Sequence, residues 1–157
     1  ENSGILNWIA LVLFVMAGIT DHLDGYVARK TKTTSSLGGL LDLMADKLLI
    51  CITIFYLLSI ASHEELIFPS IIIIARELII SSFRQFLAES LGENPVKVSF
   101  IAKAKTTVQI TSISFLIISP NFGVYFYYLT IFLFWLAAYL SIHSLVLYLR
   151  AYKIFMN

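Results

Sequence analysis

The stretch DHLDGYVARKTKTTSSLGGLLDLMAD, Asp21 to Asp46, places four aspartates between two long apolar segments. Asp21 and Asp24 are three residues apart, and Asp42 and Asp46 are four apart. Residues at these spacings share one face of an α-helix. The stretch therefore predicts two helices that each carry a pair of carboxylates, joined by the polar segment TKTTSS.

The surrounding composition indicates a membrane protein. The chain has 157 residues, of which 59% are hydrophobic and 13% charged, whereas soluble domains carry about a quarter charged residues. Neither 2–20 nor 106–149 contains an Asp, Glu, Lys or Arg, and a bilayer-spanning helix needs about 20 apolar residues. We therefore predict an all-α polytopic membrane protein. A net charge of +1 gives no reason to expect a nucleic-acid partner.

Five membrane-spanning helices are expected, over about 5–30, 37–61, 66–87, 100–118 and 124–148. The segments GENPVKV and SPNFG separate the last three helices. The single cysteine, Cys51, lies in an apolar run and excludes an intramolecular disulfide, so a packing role is expected for it.

Basic residues alternate between the predicted loops. The first and third connections and the C-terminal tail carry Lys or Arg, whereas the N-terminus, SHEE and SPNFG carry neither. Basic loops face the cytoplasm, so the N-terminus is predicted outside and the C-terminus inside. Because the chain also lacks an initiating Met, we expect one further N-terminal helix, and residues 1–157 are interpreted as a single transmembrane catalytic domain.

This topology brings the four aspartates to one cytoplasmic site. Four unpaired carboxylates would repel one another, and two divalent ions would remove that repulsion, since carboxylate oxygens suit Mg²⁺ and Mn²⁺. Ion pairs with Arg29, Lys30 and Lys47 are the alternative. Gly25 and Gly38 allow a ligand close to the backbone, and Arg29 is placed to meet an anion.

The pattern Asp21-x2-Asp24-Gly25-x2-Ala28-Arg29-x8-Gly38-x3-Asp42-x3-Asp46 resembles the signature of the CDP-alcohol phosphatidyltransferase family. The resemblance implies a six-helix membrane enzyme, commonly a homodimer, that transfers a phosphatidyl or similar group from a CDP-linked donor to an alcohol and releases CMP. It implies that the four aspartates bind two metal ions and that Asp46 is also the general base. It assigns CDP binding to Asp21, Gly25, Ala28, Arg29 and Gly38. Leu43 departs from the family, in which proline is frequent at that position.

The acceptor alcohol is predicted from residues further along the chain. Arg76 and Arg84 could bind an anionic acceptor, although Glu77, which shares a helix face with Arg84, could instead form a buried ion pair that fixes packing. Lys103 and Lys105 open the fourth helix and are predicted to bind the acceptor phosphate together with the two arginines. Positive-inside anchoring is the alternative for both lysines.

Together, AREL…R and KxKTxxQ, which ends at Gln109, resemble the branch of the family that uses sn-glycerol 3-phosphate. The resemblance then implies CDP-diacylglycerol as donor, phosphatidylglycerophosphate as product, and an active site on the cytoplasmic face of the cell (inner) membrane. Inositol phosphate or serine as acceptor remains an alternative. A small cation transporter and a non-catalytic assembly protein are the alternatives from other classes.

Overall fold

The computed structural model describes residues 2–31, 36–60, 63–91 and 100–156, with side chains within 4–20, 44–45, 47–60, 63–83, 85–86 and 104–150. The described residues form five α-helices and one 3-10 turn, without a β-strand among them. The helices are α1 (Asn2–Thr31), α2 (Ser36–Ile60), α3 (Glu64–Leu91), α4 (Phe100–Ile118) and α5 (Val124–Met156), and the turn is Ser119–Asn121. The predicted all-helical fold with five helices is confirmed.

The observed helix ends can be compared with the ends that the apolar runs of the sequence predict. The bounds of α4 are those predicted, whereas α3 and α5 continue to Leu91 and Met156, beyond the predicted ends at 87 and 148. The prediction stopped where the apolar run stopped, but a helix continues through polar residues until a breaker such as Gly92 follows in the sequence.

Two helical segments, Glu64–Phe83 and Val124–Arg150, are long and apolar enough to cross a membrane, and Gly4–Thr20 and Lys47–Ile60 are shorter apolar helices. Large apolar side chains such as Phe55 and Phe68 remain exposed. Continuous exposed apolar surface is unusual in soluble monomers and matches a helix surface that contacts lipid. The crossing of all five helices stays a prediction.

The chain forms two compact units, the first of which combines Glu1–Ser62 with Ile113–Tyr127. In this unit α1 packs against α2 and against the 3-10 turn. The amide of Asn121 donates to the carbonyl oxygen of Gly4 at 2.9 Å, and the amide of Asn7 donates to Asn121 Oδ1 at 2.8 Å. Beside them, Trp8 meets Phe122 edge-on with ring centroids 6.3 Å apart. These contacts fasten the start of α1 to the α4–α5 turn.

The second unit combines His63–Ser112 with Tyr128–Asn157. Two contacts join α3 to α5 here, Arg76 to Ser144 and Phe83 to Tyr148. Residue numbers rise together along both helices, so α3 and α5 run in the same direction. Phe115 of α4 stacks on Phe126 of α5 across the short turn between them, with ring centroids 4.9 Å apart, so α4 runs in the opposite direction to α5. The small residues Ala137 and Ala138 of α5 are fully buried, which allows close approach between helices.

Candidate active site

The α1–α2 hairpin places the two aspartate pairs at matching depths. Asp21 lies ten residues before the end of α1, and Asp46 lies ten residues after the start of α2. Asp24 and Asp42 lie seven and six residues from the same two ends. With a rise of 1.5 Å per residue, Asp21 and Asp46 each lie about 15 Å from the end of their helix that faces the connection. Asp24 and Asp42 each lie about 10 Å from the same ends. α1 and α2 contact each other, and a single site formed by the four aspartates stays a prediction.

The side chains of this region lie outside the described part of the structure, which gives the helices but not their side-chain geometry. The same holds for two of the predicted acceptor residues. The residues concerned are Asp21, Asp24, Gly25, Ala28, Arg29, Gly38, Asp42, Asp46, Arg84 and Lys103. Among the side chains that are described, no three His, Cys, Asp or Glu residues are close enough to hold a metal ion.

The donor chemistry of the hairpin fits a hard divalent cation. All four side chains supply carboxylate oxygens, and each pair shares a helix face by its spacing. Oxygen donors of this kind suit Mg²⁺ and Mn²⁺ and disfavour softer metals. The hairpin therefore has the ligand types that a divalent metal centre requires.

A buried charged cluster occupies the second unit. Arg76 is 8% exposed and Lys105 fully buried. Lys105 Nζ pairs with Glu77 Oε1, and Arg76 Nη1 lies 3.6 Å from the same oxygen. Arg76 Nη2 also donates to Ser144 Oγ at 2.7 Å. One carboxylate thus contacts two cations, which leaves these three residues with a net positive charge.

The sequence builds this cluster from two neighbouring positions of α3. Successive helix residues point about 100° apart, so Arg76 reaches α5 while Glu77 reaches α4. Burial of an uncompensated charge is costly, and Glu77 compensates much of that cost for Lys105. The buried ion pair considered for Glu77 is thus present, with Lys105 as its partner on α4.

Gln109, which the sequence pattern included without a role, lies one helical turn beyond Lys105. It is fully buried, and neither Oε1 nor Nε2 has a hydrogen-bond partner among the described residues. The hydroxyl of Ser112, a further turn along α4, donates to the carbonyl oxygen of Val108 at 2.6 Å. Gln109 therefore differs from its polar neighbour in having no partner within the described part of the chain.

Of the described histidines, His63 lies away from the cluster, and His143 directly precedes Ser144 on α5. His63 precedes α3 and is fourteen residues before Glu77, which corresponds to about 20 Å along a helix. Burial lowers the pKa of His63 below its ordinary value, and the charge of Glu65 partly opposes that shift. The imidazole is therefore neutral at pH 7. His143 stacks on Tyr139 with ring centroids 6.2 Å apart and is exposed.

The similarity to known proteins extends over the aspartates of α1 and α2 and over the charged cluster of the second unit. Residues 5–143 match the family described as CDP-alcohol phosphatidyltransferase. A CDP-diacylglycerol–glycerol-3-phosphate 3-phosphatidyltransferase of Rickettsia bellii is 39% identical over 155 residues, covering 97% of this chain and 83% of the relative.

Two further relatives carry the same name. The Haemophilus influenzae protein is 37% identical over 149 residues, covering 93% of this chain and 78% of its own length. The protein of Shigella flexneri serotype 5b is 37% identical over 142 residues, with coverage of 90% and 77%.

Proposed function

The chain belongs to the CDP-alcohol phosphatidyltransferase family, a membrane-embedded family, and we propose that it transfers a phosphatidyl group from CDP-diacylglycerol to sn-glycerol 3-phosphate. The products are phosphatidylglycerophosphate and CMP, so the enzyme serves phospholipid biosynthesis. One observation carries this assignment: relatives from three bacterial genera share the name of this activity over at least 90% of the chain. The family assignment also disfavours a cation transporter.

The α1–α2 hairpin is the donor site of this proposal. Family members use a divalent metal, and Asp21, Asp24, Asp42 and Asp46 are the residues that would hold two Mg²⁺ or Mn²⁺ ions. Bound metal supplies charge neutralisation to the donor pyrophosphate and to the departing CMP. The matching depths of the aspartates on two contacting helices support this assignment. CDP is bound by Asp21 together with Gly25, Ala28, Arg29 and Gly38.

The charged cluster of the second unit is the acceptor site. The acceptor phosphate carries up to two negative charges, and Arg76 and Lys105 supply buried cations that strengthen its binding in a medium of low dielectric constant. Glu77 compensates part of this positive charge before the acceptor binds. Arg84 and Lys103 add positive charge to the same site in this proposal. Serine has no phosphate, so binding of a serine acceptor would not require two buried cations.

The reaction is an attack by the acceptor on the lipid-bearing phosphorus. Asp46 takes the proton of the primary hydroxyl as that oxygen forms its bond to phosphorus. The bond from phosphorus to the bridging pyrophosphate oxygen breaks, and CMP leaves with the electron pair. Positioning the donor and the acceptor for this attack contributes much of the rate enhancement.

The membrane arrangement extends the same proposal. Five helices cross the membrane as part of a six-helix fold, and the active site opens to the cytoplasm of the cell (inner) membrane. The alternation of basic and non-basic loops supports this orientation. CDP-diacylglycerol then enters from the lipid and sn-glycerol 3-phosphate from the cytosol, and the working form is a homodimer.

The test is CMP release by the purified protein from CDP-diacylglycerol with Mg²⁺ or Mn²⁺ and a panel of acceptors. We expect release with sn-glycerol 3-phosphate and not with serine or inositol phosphate. Asp46→Asn should lower the rate roughly 10²- to 10⁴-fold because the general base is lost. Faster release with another acceptor would overturn the acceptor assignment, and a wild-type rate in Asp46→Asn would overturn the mechanism.

A further inference from the structure

Gln109 is a buried polar group that the proposed mechanism does not use. Its side chain is fully buried, and both amide atoms lack a hydrogen-bond partner among the described residues. Buried side-chain amides in folded proteins are almost always paired with protein, water or ligand. A fully buried amide that has no partner among the side chains described here therefore points to a bound polar group.

The position of Gln109 places it beside the acceptor cluster. Lys105 and Gln109 are four residues apart on α4, so they share a helix face about 6 Å apart along the axis. That rise is comparable with the length of a three-carbon phosphate ester. A ligand whose phosphate is held by Lys105 can therefore present another part of its carbon chain to Gln109.

Two further buried hydroxyls lie on the same side of the cluster. Ser70 precedes Arg76 on α3, and Ser141 precedes Ser144 on α5; neither hydroxyl has a partner among the described residues. α4 runs opposite to α3 and α5. A residue with a lower number on α3 or α5 therefore lies on the same side of the cluster as a residue with a higher number on α4. The unpartnered polar atoms of three helices thus lie beyond the cations in one direction.

We propose that Gln109 binds the secondary hydroxyl of the acceptor and selects acceptors that carry it. This inference rests on the proposed function, in which the acceptor has a phosphate and two hydroxyls. The cations hold the phosphate and the primary hydroxyl attacks, so the secondary hydroxyl is the group left to recognise. A carboxamide both donates and accepts hydrogen bonds, as a hydroxyl does, so the two can pair. Gln109 is a specificity-determining residue, since the reacting atoms lie elsewhere on the acceptor.

The experiment compares two acceptors in two proteins. 3-Hydroxypropyl phosphate keeps the phosphate and a primary hydroxyl but lacks the secondary one. Gln109→Met keeps the length of the side chain and removes the amide. We expect the variant to lose roughly 10- to 100-fold in kcat/KM for sn-glycerol 3-phosphate and to remain close to wild type for the analogue. The preference of the wild type for sn-glycerol 3-phosphate should therefore nearly disappear.

Thermal unfolding without acceptor separates binding from packing. An apolar side chain in place of an unpartnered buried amide should raise the Tm, whereas loss of a structural amide should lower it. Ser112→Ala is the matched control on α4, because its hydroxyl bonds within the helix, and it should leave the ratio of kcat/KM for the two acceptors unchanged. Gln109→Leu provides a second apolar variant of different shape.

The possible outcomes distinguish this inference from the proposed function. If wild type releases no CMP with sn-glycerol 3-phosphate, the proposed function is wrong and the inference fails with it. If wild type is active but Gln109→Met lowers kcat/KM equally for both acceptors, or changes neither value, only the inference is overturned. Failure of both variants to fold would show that Gln109 is structural, which overturns it as well.

Discussion

At the scale of single residues, Lys105 combines two properties that rarely occur together. It is fully buried, and it carries a charge that Glu77 compensates. A buried pair of this kind is weak evidence for stability, because desolvation offsets the attraction, yet removal of one partner is costly. The same contact can therefore fix helix packing and keep a cation available for a phosphate.

Variants of the pair separate these two roles. Lys105→Met should lower the free energy of unfolding by about 3 kcal/mol, since among the described residues it leaves Glu77 with the more distant Arg76 alone. In the double variant Glu77→Gln/Lys105→Met the stability should partly recover, while KM for sn-glycerol 3-phosphate stays raised. Thermal unfolding and steady-state kinetics of the single and double variants measure both effects. Recovery of KM together with stability would assign the pair to packing alone.

The aspartates allow a second prediction at this scale. In the proposed site, Asp42→Asn should weaken metal binding without removing the proposed base, so raising the Mg²⁺ or Mn²⁺ concentration should restore much of the CMP release. The metal concentration that gives half-maximal rate should rise roughly 10-fold or more. Asp46→Asn should not be restored at any metal concentration, because it also loses the proton acceptor. Equal rescue of both variants would contradict the assignment of the base.

At the scale of elements, Asn121 fastens the 3-10 turn to α1 through Gly4 and Asn7. Asn121→Ala removes both hydrogen bonds at an exposed site, so we expect a loss of about 1 kcal/mol and a Tm lower by a few degrees. Asn7→Ala removes one of the two bonds and should have the smaller effect. Thermal unfolding in detergent compares them, and an unchanged Tm in Asn121→Ala would show that the aromatic contacts hold the turn alone.

The elements also show how far sequence reasoning reached. The apolar runs and turn residues predicted five helices, and α4 was predicted with its observed ends. The pairing of Glu77 with Lys105 could not be deduced, because spacing identifies neighbours within one helix and Lys105 lies on the next. The missing hydrogen-bond partners of Gln109 depend on tertiary burial, which no local pattern encodes. Spacing predicts that each aspartate pair shares one helix face, because spacing is a property of single helices, and the site they form stays a prediction.

At the scale of the whole molecule, the direction of the helices can be tested in membranes. In a Cys51→Ser background, Thr33→Cys and Ser62→Cys place single thiols in two predicted loops on opposite sides. A membrane-impermeant maleimide should label Ser62→Cys in right-side-out vesicles and Thr33→Cys only in inverted ones. Labelling of both from one side would contradict the predicted crossing of α2.

The contact between Gly4 and Asn121 spans 117 residues of chain, and this separation has a consequence for biosynthesis. A ribosome adds about 5–20 residues per second, so α1 waits on the order of ten seconds before its partner turn has been made. Throughout that interval the start of α1 lacks its tertiary neighbour, and non-local contacts of this kind form late. We therefore expect the nascent chain to be more sensitive to proteolysis before the α4–α5 turn emerges than after it.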